Sequence, residues 1–204
     1  MMAPPVYVVF AGVNGAGKST FFRTGLWRQP DFGRSMVRVN PDEILREAKG
    51  DPALVRDQIA SGKEALRRID DCLGSRRSFN QETTLTGHTS IRTIKRAYEL
   101  GYRVVVYYMG LASCELALER IDHRVQLGGH PIDADAVRRR YRASIGNLSK
   151  VLDYCETVTV YDNTTEFVAV AQWARGSLCW VGDVARRAPW LLEAMQDEAL
   201  WRAR

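Results

Sequence analysis

Gly12-Val13-Asn14-Gly15-Ala16-Gly17-Lys18-Ser19 satisfies the spacing Gly-x4-Gly-Lys-Ser/Thr in full, directly after the apolar run Val6 to Ala11. No other feature restricts the fold of this chain so tightly. The β-branched and aromatic run predicts a strand buried on both faces of a parallel sheet. The glycines predict a turn whose successive N–H groups converge on an anion. A helix from about Lys18 to Leu26 aims its N-terminal dipole at the same point. At average Gly usage of roughly 7%, the motif arises by chance in about one chain in a hundred of this length. The strand before it and the helix after it narrow that further. Gly12, Asn14, Gly15, Ala16, Gly17, Lys18, Ser19 and Thr20 are therefore expected around a nucleoside triphosphate, ATP or GTP. Lys18 reaches the β- and γ-phosphates and the Ser19 hydroxyl ligates Mg²⁺.

Downstream, strand and helix patterns alternate. Strands are expected at Met36–Val39, Ser78–Glu82, Arg103–Met109 and Thr157–Tyr161. Between them lie helices opening at Asn40-Pro41-Asp42-Glu43 and running over Pro52 to about Leu73, Ser90–Leu100, Ser113–Leu127 and Asp135 to about Leu152. Asn40 reads as an N-cap, with Pro41 at N1 and Glu43 completing a capping box. Leu54, Ile59, Leu66, Ile69 and Leu73 read as the core face of the long helix, and Gly101 as a C′ glycine. The alternation predicts an α/β P-loop kinase fold: an open parallel sheet of about five strands flanked by helices, with right-handed crossovers. One domain is expected over 1–204, its core about 5–163. A small C-terminal extension over 164–204 carries a hairpin around Ala174-Arg175-Gly176 and a helix after Pro189.

The chain has 204 residues, 29 Lys and Arg against 24 Asp and Glu, and a net charge of +5. That balance suits an anionic small molecule, not a nucleic-acid coat. No apolar run reaches the roughly 20 residues of a membrane span, and no secretory signal is evident, so a cytoplasmic protein without membrane contact is expected. Cys72, Cys114, Cys155 and Cys179 match no zinc or redox spacing and read as reduced thiols.

Acidic and basic residues point to phosphoryl transfer. The strong strand Arg103–Met109 ends in Gly110 without an acid, and no guanine-selecting Asn-Lys-x-Asp is apparent. Acids instead follow the second strand (Asp42, Glu43) and the third (Glu82). Strand C-termini line the ligand crevice of an open parallel sheet, which brings Asp42 and Glu82 toward the γ-phosphate. A carboxylate there can take the proton of an acceptor hydroxyl. Glu43 fits the capping box better than Asp42 does, which leaves Asp42 without a structural task. Six Arg and three Asp lie between Arg120 and Arg142. Arg120 and Arg124 share a helical face, and Gly128-Gly129 separates them from Arg138-Arg139-Arg140. The segment reads as an Arg-rich lid that excludes water and neutralises the transferring group. Consecutive helical residues cannot share a face, so only some of these arginines can turn inward.

Taken in order, these pieces resemble the zeta-toxin family of P-loop kinases, particularly its compact members. They are Ala11 to Thr20, Val39 to Ile44 and Gln81-Glu82-Thr83-Thr84-Leu85-Thr86-Gly87. Gly101 to Val104, Gly110-Leu111, Glu119-Arg120, and Arg124-Val125 through Gly128-Gly129-His130 follow. Arg139-Arg140-Tyr141, Ser144, Asn147-Leu148 and Tyr161-Asp162-Asn163 complete the set. The resemblance implies a kinase using ATP or GTP with Mg²⁺, similar in core to chloramphenicol phosphotransferase. It implies a nucleotide-sugar acceptor such as UDP-N-acetylglucosamine, with Lys18 and Ser19 on nucleotide and metal and Asp42 as general base. Glu82, Thr83 and Thr84, with Arg120, would contact the acceptor. Arg124 and one of Arg139 or Arg140 would hold the transferring phosphate. Glu82-Thr83-Thr84-Leu85-Thr86-Gly87 departs from the Glu-Gly-Thr-x-Arg type of the long zeta toxins. No antitoxin-like segment is fused, so an antitoxin would be a separate protein.

Two other readings keep the same fold. One is a kinase of polynucleotide ends, disfavoured by the lack of a long basic groove signature. The other is a nucleotide-gated binding module with little turnover, suggested by Trp173, Trp180, Trp190 and Trp201 near the C-terminus. Cover for the sheet explains those tryptophans more simply.

Overall fold

The computed structural model describes residues 3–32 and 35–195. Its centre is β1 (Val6–Gly12), every residue of which is buried. The remaining strands are β2 (Val37–Val39), β3 (Phe79–Thr83), β4 (Arg103–Gly110), β5 (Thr157–Asp162), β6 (Val168–Ala174) and β7 (Ser177–Val181). They form one sheet in the order β2-β3-β1-β4-β5-β6-β7. The first five are parallel, as expected. The sheet is wider than five strands because the C-terminal hairpin joins it: β6 pairs antiparallel with β5, and β7 with β6.

Because side chains alternate along a strand, the two faces of β1 feed two separate cores. Tyr7, Val9 and Ala11 pack with Val104, Val106 and Tyr108 of β4 under α3 (Val55–Gly74) and α4 (His88–Glu99). Val6, Val8 and Phe10 pack with Val105, Tyr107 and Met109 under α1 (Lys18–Thr24) and α5 (Cys114–Gln126). This double burial is why these strands read as unbroken apolar runs.

Several element boundaries differ from expectation. The long helix starts at Val55, not Pro52, and only its C-terminal half buries its stripe. Ile59 and Leu66 are 53% and 42% exposed, whereas Ile69 and Leu73 are buried. α3 packs mainly against α2 (Pro41–Glu47) and β2, and its buried residues are Ser61, Ala65, Ile69, Cys72 and Leu73. The helix expected to reach Leu152 is α6 (Ala134–Leu148), followed by 3-10 turns over Ser149–Tyr154. Gly101 is the C′ glycine of α4, with φ of 75°.

The C-terminal segment covers the sheet. Trp173 is fully buried. α7 (Val184–Arg187) leads into α8 (Pro189–Ala194), whose Trp190 lies flat against Gly110; a Cβ on that glycine would come within 2.0 Å of the indole ring. The Trp190 Nε1–H donates to Asp162 Oδ1 at 3.1 Å. Trp180 is 47% exposed, and Trp201 lies outside the described residues. All four cysteines are free thiols. Among the described residues, no helix is long and apolar enough to cross a membrane.

Candidate active site

The loop between β1 and α1 opens at the C-terminal edge of the sheet. Gly15 and Gly17 take φ of 77° and 85°, left-handed values that side-chain-bearing residues rarely adopt. Asn14, Gly15, Gly17, Lys18, Ser19 and Thr20 line a cleft of about 580 Å³. Gly12 and Ala16 do not line it. Gly12 abuts β4, where a Cβ would meet the Met109 carbonyl oxygen at 2.0 Å. The Ala16 carbonyl accepts from Asn163 Nδ2 at 3.0 Å, tying the loop to the end of β5.

Lys18 is buried, and its Nζ donates to the Val13 carbonyl at 2.8 Å. Burial pushes its ammonium below the ordinary lysine value. The Glu82 and Asp42 carboxylates oppose that shift, while Arg124 and Arg140 reinforce it. These five charges therefore feel one another across one cleft.

The short helix α2 (Pro41–Glu47) presents Asp42. Asn40 caps it as expected, its Oδ1 accepting from the Asp42 N–H at 2.9 Å. Glu43 does not close the expected capping box. Its carboxylate accepts instead from Arg38 and from Asn40 Nδ2. The Asp42 side chain is exposed toward the cleft, and its carboxylate has no hydrogen-bond or ion-pair partner among the described residues. An acid left unpaired beside a phosphate loop is available to take a proton.

Glu82 lines the same cleft and is held by three protein donors. Its Oε1 accepts from Ser19 Oγ at 2.7 Å, and its Oε2 accepts from Arg38 Nη2 at 2.8 Å and Asn40 Nδ2 at 2.9 Å. This follows from the strand order: β3 lies between β2 and β1, so its C-terminal end falls beside the phosphate loop. Among the described residues, no three His, Cys, Asp or Glu side chains converge as a metal cage. The Ser19 hydroxyl and Glu82 carboxylate nevertheless suit Mg²⁺. That hard cation takes oxygen donors, and it usually takes only one or two from protein, the rest from phosphates and water.

Beyond Glu82, the hydroxyls of Thr83, Thr84 and Thr86 line the same cleft. Thr83 Oγ1 accepts from the Leu85 N–H at 3.1 Å and shares a hydrogen bond with Ser90. Leu85 is fully buried with φ of 56°, and its carbonyl accepts from Asn147 Nδ2 at 2.9 Å. A leucine held at positive φ is strained, and such strain clusters at ligand-handling loops.

Arg120, Arg124 and Arg140 line the cleft; Arg139 is exposed and does not. Arg140 Nη1 lies 3.4 Å from Asn14 Oδ1 of the phosphate loop. Arg120 Nη2 donates to the Thr164 carbonyl at 3.0 Å, which pins α5 to the segment after β5. Arg124 Nη2 donates to the His130 carbonyl at 3.0 Å. Gly128 and Gly129 close α5 through N–H bonds to the Val125 and Arg124 carbonyls, the Schellman arrangement. The glycine pair is a helix stop, and the turn after it brings the His130 carbonyl to Arg124.

Arg38 was not singled out from the sequence. A charged residue inside the apolar stretch Met36–Val39 was the available signal.

Comparison with known proteins bears on the family and the fold. Residues 2–171 match the zeta toxin family. An uncharacterized protein of Haemophilus influenzae is 31% identical over 134 residues, spanning 66% of this chain and 91% of the relative. The structure of the PezAT chromosomal toxin-antitoxin system of Streptococcus pneumoniae superposes with a TM-score of 0.59 at 17% identity, covering 82% of this chain and 71% of that one. The AvrRxo1-ORF1:-ORF2 complex with ATP gives a TM-score of 0.65 at 19% identity, covering 90% and 62%. At such identities the structural likenesses speak for the fold alone.

Proposed function

The chain belongs to the zeta toxin family of P-loop kinases, and on that premise we propose that it moves the γ-phosphoryl of ATP or GTP onto a hydroxyl of a nucleotide sugar, UDP-N-acetylglucosamine being the first acceptor to test. Family membership makes it a nucleotide-dependent phosphotransferase; the donor base, the acceptor and the residue roles are the proposal. One observation carries it: the unpartnered carboxylate of Asp42 faces the same cleft as Lys18.

The roles follow from the chemistry. Asp42 accepts the acceptor hydroxyl proton as that oxygen attacks the γ-phosphorus, and the bond to the β–γ bridging oxygen breaks to release the diphosphate. Lys18, Arg124 and Arg140 neutralise charge on the transferring oxygens. Thr84 and Thr86 offer hydroxyls to the sugar of the acceptor. Ser19 and Glu82 would hold Mg²⁺, which supplies positive charge at the β- and γ-phosphates. Arg120 lines the cleft while donating to the Thr164 carbonyl. A separate antitoxin protein is proposed as a partner, because one structurally similar protein comes from a chromosomal toxin-antitoxin system.

The test incubates the protein with ATP or GTP, Mg²⁺ and a panel of UDP-sugars, dinucleotides and single-stranded oligonucleotides, and weighs each acceptor. A UDP-sugar that gains one phosphoryl group supports the proposal. Phosphate found only on oligonucleotide ends would favour the polynucleotide reading, and no acceptor at all would favour the binding module.

The two neighbouring arginines give a sharper expectation. Arg140→Ala should lower kcat by about 10², the scale of one lost transition-state donor. Arg139→Ala should leave it near the wild-type value, because that side chain lies outside the cleft. Single-turnover rates of the two variants check this, and equal losses would contradict it.

A further inference from the structure

Arg38 sits at the middle of β2, on the edge of the sheet, yet its side chain is only 16% exposed. Its guanidinium is shared among three elements. Nε and Nη2 meet the Glu43 carboxylate at 3.0 to 3.2 Å. Nη1 donates to Asn80 Oδ1 at 3.1 Å, and Nη2 also donates to Glu82 Oε2 at 2.8 Å. The plane rests on the Phe22 ring of α1, 3.7 Å from its centroid. One side chain thus touches the helix that carries Ser19, the strand that carries Glu82 and the helix that carries Asp42.

We propose that Arg38 is the positioning residue of the phosphoryl-transfer site, setting the orientation of Glu82 and through it the affinity for the divalent cation that accompanies the nucleotide. This rests on the reading of the cleft as a phosphoryl-transfer site.

The argument is one of oxygen accounting. Glu82 has two oxygens, and Arg38 and Asn40 occupy Oε2. Oε1 is left turned to the Ser19 hydroxyl, which is where a cation bound to phosphate needs a second hard donor. The fork on Glu43 prevents Arg38 from following Glu82 if that carboxylate swings, because a planar guanidinium held at two edges cannot rotate freely. Without Arg38, two carboxylates would lie close together with no shared counter-charge, and Glu82 could turn away from Ser19. Groups that hold a metal ligand in this way typically contribute 10- to 100-fold in metal affinity.

A purely structural role for Arg38 makes a different forecast, and the cation separates the two. ADP affinity is measured by calorimetry with and without Mg²⁺ for the wild type, Arg38→Gln and Arg38→Lys. Arg67→Gln, which removes an exposed ion-pair cluster on α3, is the stability control. In the wild type Mg²⁺ should tighten ADP binding. Arg38→Gln should lose about tenfold or more of that gain while binding metal-free ADP normally, and should need correspondingly more Mg²⁺ for half-maximal turnover. Arg38→Lys should recover only part, since one ammonium cannot serve Glu43 and Glu82 together.

A folded Arg38→Gln with the full Mg²⁺ effect would overturn the proposal. Should that variant fail to fold, Glu82→Gln takes its place, and a wild-type Mg²⁺ effect there overturns it equally. Failure of the kinase reading looks different. The wild type would then transfer no phosphate to any acceptor, yet Mg²⁺-dependent ADP binding would still be lost on changing Arg38.

Discussion

Replacing Lys18 by alanine should lower phosphoryl transfer by about 10³ or more, the low end of what a charge clamp on the transferring group contributes. The fold should survive. Burial already disfavours the Lys18 ammonium, so removing it relieves an unfavourable term. The loss is one hydrogen bond to the Val13 carbonyl, worth about 1 kcal/mol. Multiple-turnover assays and thermal melts separate these effects. Near-normal turnover in a folded Lys18→Ala would remove the phosphate-loop reading. In the wild type the same burial has a pH signature. Burial holds the Lys18 ammonium below the ordinary lysine value in the nucleotide-free protein, so kcat/KM for the nucleotide, which reports the free enzyme, should start to fall with rising pH before an exposed lysine would titrate. The sign is fixed by the direction of the shift: the charged, active form is the low-pH form.

Asp42→Asn is the second large effect. A positioned general base contributes about 10² to 10⁴, so kcat should drop by about 10³. ADP affinity and melting temperature should stay close to wild type. The carboxylate has no protein partner among the described residues to lose, and Asn40 caps α2 through the Asp42 backbone N–H, which the substitution leaves in place. A fall in melting temperature with normal turnover would make Asp42 a helix-end acid instead.

Much of this architecture was legible in the residues because its signals are local. β1, the phosphate loop and α1 were readable as a strand, a glycine turn and a helix in immediate succession. Asn40 was readable as a cap because its side chain bonds only two residues ahead. What escaped depends on which elements become neighbours. Glu82 meets Ser19 only because β3 inserts between β2 and β1, and no spacing along the chain announces that insertion. Arg38 gains its place only from Glu43, Asn80 and Glu82, which converge on it in the fold and not along the chain. Ile59 and Leu66 fit the periodicity of a buried stripe, but periodicity does not say where the opposing layer stops. The inward-facing arginine could not be chosen between Arg139 and Arg140, since about 100° of helical phase separates them and only the packing of α6 sets that phase.

Helix α8 has a consequence for the nucleotide cradle. Trp190 holds Asp162, and Asp162 in turn accepts from the Thr164 hydroxyl at 2.7 Å. The Thr164 carbonyl takes Arg120, and neighbouring Asn163 grips Ala16 of the phosphate loop. A hydrogen-bonded chain thus runs from residues 184–195 to the nucleotide cradle, and the expectation is that the two are coupled. Coupling of this kind is reciprocal. If a docked tail favours nucleotide binding, bound nucleotide must favour the docked tail by the same factor. Amide hydrogens of 184–195 should then exchange more slowly with ADP present than without it, although none of these residues lines the cleft. Unchanged exchange there would mean that the tail covers the sheet without being linked to the cradle.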